Sequence, residues 1–172
     1  YVSDNKNAYL LSCAEYWNRK EFLVQLLTSM GVDYSGFTVA EMMNEIVKKL
    51  KSQHNPLIIL DEADKLPDTV LYFFITLYNR LEDHCGIILC ATDHLSKRIS
   101  KGIKLNRKGY KESNSRIGRK FIELKGVNYN DVTQICIANG VESTKDIKEI
   151  FNDSECDLRR VKRKIHAVKN RV

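Results

Sequence analysis

The chain has 172 residues, 43% of them hydrophobic and 29% charged, with a formal net charge of +6. That size suits one domain, or a core with a small appendage, and the composition is that of an ordinary globular protein. No apolar run approaches the ~20 residues that span a bilayer, and no signal peptide is visible, so no membrane-spanning helix is expected in these residues. The cysteines (Cys13, Cys85, Cys90, Cys136 and Cys156) are odd in number and irregularly spaced. No C-x-x-C or Cys/His cluster suggests zinc. They read as reduced, mostly buried thiols of a cytoplasmic protein.

The first predicted element is the short apolar run Asn7–Cys13, which suits a buried strand. Asn18 is placed to cap a helix in which Phe22, Leu23, Leu26, Leu27 and Met30 recur at helical spacing, with Gly31 as its stop. Thr38-Val39-Ala40-Glu41 spells a capping box, and Met42, Met43, Ile46, Val47 and Leu50 continue that second helix. Pro56 then introduces the strand Leu57–Leu60. Pro67 suits the first turn of a third helix running to about Asp83. Gly86–Ala91 is another continuous apolar strand, followed by basic, partly helical sequence and a short strand Phe121–Leu124. The rest reads as helices: Asp131–Asn139 closed by Gly140, then Thr144–Phe151 and Asp157–Lys169. Strands apolar on both faces and alternating with helices predict a parallel α/β sheet. Residues 1–125 are assigned to an α/β core and 126–172 to a small all-helical subdomain.

Charge is segregated along the chain. Between Lys97 and Lys120 stand ten basic residues, among them Lys101, Lys104, Arg107 and Lys108, against one acid, Glu112. The last fourteen residues hold seven more, including Arg159, Arg160, Lys162, Arg163 and Lys164. Such clustering favours a polyanionic partner, with nucleic acid first. Two solvated helix faces are the plainer alternative.

In open α/β sheets, ligands gather at the carboxyl ends of the strands. There the second strand delivers Leu60-Asp61-Glu62-Ala63-Asp64. Phosphoryl transfer asks for one carboxylate to hold Mg²⁺, often through its water, and another to orient the attacking water. Adjacent residues at a strand end divide such work because their side chains leave on different sides of the backbone. Asp61 is assigned to the metal and Glu62 to the water, while Ala63 and Asp64 read as the start of an ordinary turn before Pro67.

The letters DEAD also resemble a helicase family. That family has two large α/β domains and a Ser-Ala-Thr motif, where this chain has Cys90-Ala91-Thr92 and then a small helical tail. The arrangement instead resembles an AAA+ ATPase, a P-loop NTPase core followed by a helical lid. The likeness runs from Asn7 onward and rests on three stretches besides Asp61-Glu62. Thr92, after Gly86–Ala91, matches the sensor 1 position. Ser115-Arg116-Ile117-Gly118-Arg119-Lys120 lies where the family's arginine finger stands, which makes Arg116 and Arg119 candidates. A guanidinium suits that task through its planar fork. Cys156-Asp157-Leu158-Arg159-Arg160 resembles the sensor 2 motif Gly-Asp-x-Arg, with Cys156 in place of the glycine and Arg159 as the nucleotide-facing arginine. "LIILDEADKL", "SRIG" and "DLRRVKRKI" are further similar to transposon target-selection ATPases such as the phage Mu B transposition protein. That resemblance implies ATP and Mg²⁺ as cofactors, non-specific DNA binding, an ATP-dependent homo-oligomer and a transposase partner. It implies DNA contacts from the basic residues at Lys101, Lys104, Arg107, Lys108, Arg160, Lys162, Arg163 and Lys164.

No G-x-x-x-x-G-K-[ST] occurs in the 172 residues. That loop's backbone N–H groups cradle phosphates and its lysine neutralises them. In AAA+ chains it precedes the strand that Asn7–Cys13 resembles. It follows the first strand, which sits between the strands matching Gly86–Ala91 and Phe121–Leu124. The expectation is therefore the C-terminal portion of a longer ATPase, inactive alone. Two alternatives stand beside it: a non-catalytic DNA-binding or scaffold module with a relic nucleotide site, and another AAA+ branch, initiator-like or secretion-linked.

Overall fold

The computed structural model describes residues 2–117 and 121–170. The chain divides into two compact units, Tyr1–Phe121 and Ile122–Val172. Among the described residues no helix is long and apolar enough to cross a membrane.

The first unit is built on three parallel strands, β1 (Ala8–Ser12), β2 (Leu57–Asp61) and β3 (Gly86–Leu89), with β2 in the middle. A parallel pair cannot be joined by a tight hairpin, and each connection here is helical. Helices α1 (Arg19–Ser29) and α2 (Val39–Lys51) link β1 to β2, and α3 (Asp68–Leu81) links β2 to β3. Asn18 starts α1 by accepting from the Lys20 and Glu21 N–H groups, and Gly31 at φ +65° turns the chain after it. The Thr38–Glu41 capping box forms at the head of α2 as the sequence predicts. Pro67 takes the N-cap of α3 rather than its first turn.

Tyr9, Leu11, Ile58 and Leu60 join the helices' Phe22, Leu26, Ile46, Leu50, Phe74 and Leu77 in one core. Period-2 alternation sends the remaining strand residues to the other face. There Leu10, Ile59 and Ile88 stand in register across the sheet, with Leu10 51% and Ile88 46% exposed. The sequence reads as apolar on both faces, yet only one is covered among the described residues.

Residues 121–124 form no strand. Phe121, Ile122 and Leu124 are exposed, which corrects the sequence reading. A four-residue strand forms only where a neighbour pairs its N–H and C=O groups, and no described segment lies beside β3 on its outer side to supply one.

The basic region folds as two helices, α4 (Asp93–Lys104) and α5 (Tyr110–Ile117). Leu95, Ile99 and Tyr110 anchor them in the core, while Lys101, Lys104, Arg107, Lys108 and Lys111 are exposed. Gly102 seats the Tyr110 ring, to which an added Cβ would come within 2.4 Å.

The second unit contains α6 (Tyr129–Ala138), α7 (Thr144–Ser154) and α8 (Leu158–Lys169). Val132, Cys136, Ile147, Ile150, Val161 and Ile165 form its core. Asn128 and Asp131 make a reciprocal cap on α6, and Gly140 at φ +80° ends it. All five cysteines are free: Cys13 and Cys136 are buried, Cys85 is half-buried, and Cys90 and Cys156 are exposed, so fewer are buried than the sequence suggests.

Candidate nucleotide-hydrolysis site

Backbone bonds bring the carboxyl ends of all three strands together. Ser12 stands opposite Asp61 in register. The Cys13 N–H donates to the Asp61 carbonyl at 2.9 Å. On the other side the Cys90 N–H donates to Leu60 O at 2.8 Å, and the Ala63 N–H returns to Cys90 O at 2.9 Å. Ser12, Asp61, Glu62 and the segment leading to Thr92 therefore share one edge of the sheet.

Asp61 is the last residue of β2 and is exposed; its Oδ1 accepts from the Glu62 N–H at 2.9 Å. Glu62 has left the strand. It adopts a left-handed conformation, φ +54° and ψ +37°, before a 3₁₀ turn at Ala63–Lys65. The two carboxylates therefore diverge through a left-handed turn rather than through strand alternation, a correction to the sequence reading. For a residue with a Cβ this backbone costs ~1–2 kcal/mol, and strain of this kind gathers at functional sites. Glu62 Oε2 accepts from Lys65 Nζ at 2.7 Å and from Ser12 Oγ at 3.4 Å. The bond to Glu62 raises the Lys65 pKa. Both partners of that ion pair are about 40% exposed, so water competes with it and the pair opens easily.

Thr92 caps α4 by position but not by side chain. Its hydroxyl donates to Asp64 Oδ2 at 2.8 Å, and its N–H donates to Asp64 Oδ1 at 3.3 Å. Arg98, one turn into α4, donates to the Asp64 carbonyl at 3.1 Å and lies 3.7 Å from Asp68. Burial pushes the Asp64 carboxyl up, but the two bonds from Thr92, its own backbone N–H and the nearby His94 together hold it below the usual range. Asp64, which reads from sequence as part of a plain turn, is thus a structural partner of Thr92. No motif singles out Ser12 or Lys65 either. Their one sequence signal is position, one at a strand end and the other three residues after Glu62.

Cys13 reports the local field. Burial, then the negative charges of Asp61, Glu62 and Asp64, push its thiol up to about 12, with Lys65 opposing. The strand edge around Cys13 is therefore electronegative. Asp61, at an exposed strand end with its carbonyl already paired, is the residue that would hold Mg²⁺. No described segment has the sequence of a phosphate-cradling loop.

The other predicted residues are distributed as follows. Arg116 Nε donates to Asn79 and its Nη1 to the Glu112 carbonyl, so its guanidinium is held against α3 and its own helix. Arg119 lies outside the described residues. In the second unit, Asp157 caps α8 by accepting from the N–H groups of Arg159 and Arg160. Cys156 has φ +61°, a left-handed backbone that glycine adopts without cost, and it is preceded by Glu155 at φ +49°. Arg160 pairs with Glu155 and Lys164 with Asp153, while Arg159, Lys162 and Arg163 are exposed.

A three-stranded parallel sheet flanked by helices gathers two carboxylates and the Thr92 hydroxyl at one strand edge, an arrangement of the open α/β type in which ligands bind at the carboxyl ends of the strands. Residues 2–99, more than half of the chain, match the family described as AAA domain, and the chain belongs to that family of P-loop ATPase domains. No curated protein matches it.

Proposed function

We propose that this chain carries metal- and water-handling residues of an ATPase site in a protein that acts on DNA. The observation that carries the nucleotide reading is the convergence of Ser12, Asp61, Glu62, Asp64 and Thr92 at the carboxyl edge of the sheet. Mg²⁺ held through Asp61 would neutralise charge on the transferring phosphoryl group. Glu62, released from its exposed pair with Lys65, orients and deprotonates the attacking water. Thr92 holds that water from the opposite side. Arg116, Arg119 and Arg159 are the candidates for meeting phosphate charge, Arg159 through the sensor 2 position.

The DNA part of the reading rests on charge. Lys101, Lys104, Arg107 and Lys108 are exposed on α4 and the turn after it, and Lys162 and Arg163 on α8. Likeness to transposon target-selection ATPases in the stretches around Asp61, Arg116 and Arg159 favours a role in transposition, with ATP-dependent self-assembly, a transposase partner and a cytoplasmic setting. The deciding experiment uses the full-length protein: Glu62→Gln should retain ATP and stop turnover. Turnover at the wild-type rate in that variant would refute the assignment.

A second reading rests on the exposed basic residues alone. It holds that the carboxylates are a relic and the chain is a DNA-binding scaffold. Full-length protein that binds DNA but neither binds nor hydrolyses Mg-ATP supports it.

A further inference from the structure

We infer that Asp64 is a positioning residue that fixes the Thr92 hydroxyl as a hydrogen-bond acceptor toward the attacking water; this rests on the nucleotide reading above. A threonine hydroxyl has one proton to donate and two lone pairs. At Thr92 the proton is committed to Asp64 Oδ2 at 2.8 Å, so the hydroxyl has none left for a phosphate oxygen. Its lone pairs would ordinarily accept from the first-turn N–H groups of the helix it begins, but Thr92 makes no such cap bond. The hydroxyl has turned away from α4 toward Asp64, and its lone pairs are left for a ligand.

The clamp is also anchored. Asp64 holds the Thr92 N–H as well as its hydroxyl, and Arg98 holds the Asp64 carbonyl. Two bonds to one carboxylate fix both the backbone and the rotamer of Thr92. Asp64 follows Glu62 by two residues, within the 3₁₀ turn that Glu62 precedes, so one turn sets the positions of both carboxylates. Glu62 and Thr92 then bracket one water, each accepting one of its protons.

The test uses the full-length protein. Asp64→Asn should lower kcat for Mg-ATP by roughly tenfold or more with KM within about twofold, as expected for an interaction made mainly in the transition state. Thr92→Val should lose as much, Thr92→Ser should retain most of the rate, and Asp64→Asn/Thr92→Val should lose no more than Thr92→Val alone. In nucleotide-free protein, the melting-temperature losses of Asp64→Asn and Thr92→Val should likewise fail to add. A hydrolysing wild type whose Asp64→Asn variant is equally fast, or whose losses multiply, overturns this inference alone. A wild type that hydrolyses no ATP overturns the nucleotide reading and this inference together.

Discussion

The left-handed backbone of Glu62 allows a test of the site that separates strain from chemistry. Replacing Glu62 by Ala or by Gly removes the same side-chain bonds, those to Lys65 and Ser12, so their removal cancels when the two variants are compared. What differs is the backbone. At φ +54° alanine keeps the Cβ clash of ~1–2 kcal/mol, which glycine lacks. Glycine in turn loses more freedom on folding, by ~0.5–1 kcal/mol. The balance favours Glu62→Gly over Glu62→Ala by ~0.5–1 kcal/mol, or roughly 1–4 °C in melting temperature for a protein of this size. In a helix interior the sign is reversed, with alanine the better residue by ~1 kcal/mol. The assay is thermal unfolding of the α/β unit in both variants, paired with Mg-ATP turnover in the full-length protein. Both variants should be inactive, and the glycine variant the more stable. An alanine variant as stable as the glycine one refutes the strained turn; wild-type turnover in either refutes the role of the carboxylate.

The open sheet face should be tolerant. Ile88→Ala should cost well under 1 kcal/mol, in the range of surface substitutions, whereas Ile58→Ala, fully buried on the other face, should cost ~2–5 kcal/mol in denaturant unfolding. Cys156→Gly should raise the melting temperature of the helical unit slightly, since relief of the left-handed strain of ~1–2 kcal/mol exceeds glycine's entropy cost of ~0.5–1 kcal/mol. Asp157 is held below the usual carboxylate range by the Arg160 and then the Arg159 N–H groups. Its contribution to helix stability is therefore fully present above its unfolded pKa of ~4 and is lost as pH falls through the lower folded value. Asp157→Asn, which still caps, should remove that part of the acid sensitivity in a circular-dichroism titration. For DNA binding, replacing Lys101, Lys104, Arg107 and Lys108 by Ala should flatten the slope of log K against log salt by ~0.9 for each phosphate that is no longer neutralised. An unchanged slope places the DNA surface elsewhere.

Much of the fold is legible because it is local. Asn18, Thr38-Glu41 and Asp157 act through caps that close within three residues, so the residues that decide them are adjacent in the chain. Apolar periodicity locates α1, α2 and α3, and unbroken apolar runs locate the three strands. The carboxylates Asp61 and Glu62 are legible for the same reason, as polar residues that directly follow a buried strand.

The rest depends on partners distant in sequence. The 28-residue step from Asp64 to Thr92 and the 50-residue step from Ser12 to Glu62 exist only because parallel pairing brings three strand ends together. The left-handed turn at Glu62 leaves no trace in composition, since glycine does not occupy it. A strand's apolar pattern states that it can be buried, not that anything covers it, and so Leu10, Ile88 and Phe121–Leu124 read alike with core residues yet lie exposed. The sequence by itself determined the three strands that form, most of the helices, and the two carboxylates that follow the central strand. Tertiary structure decided which polar groups meet them, because those bonds depend on strand register and are invisible in local order.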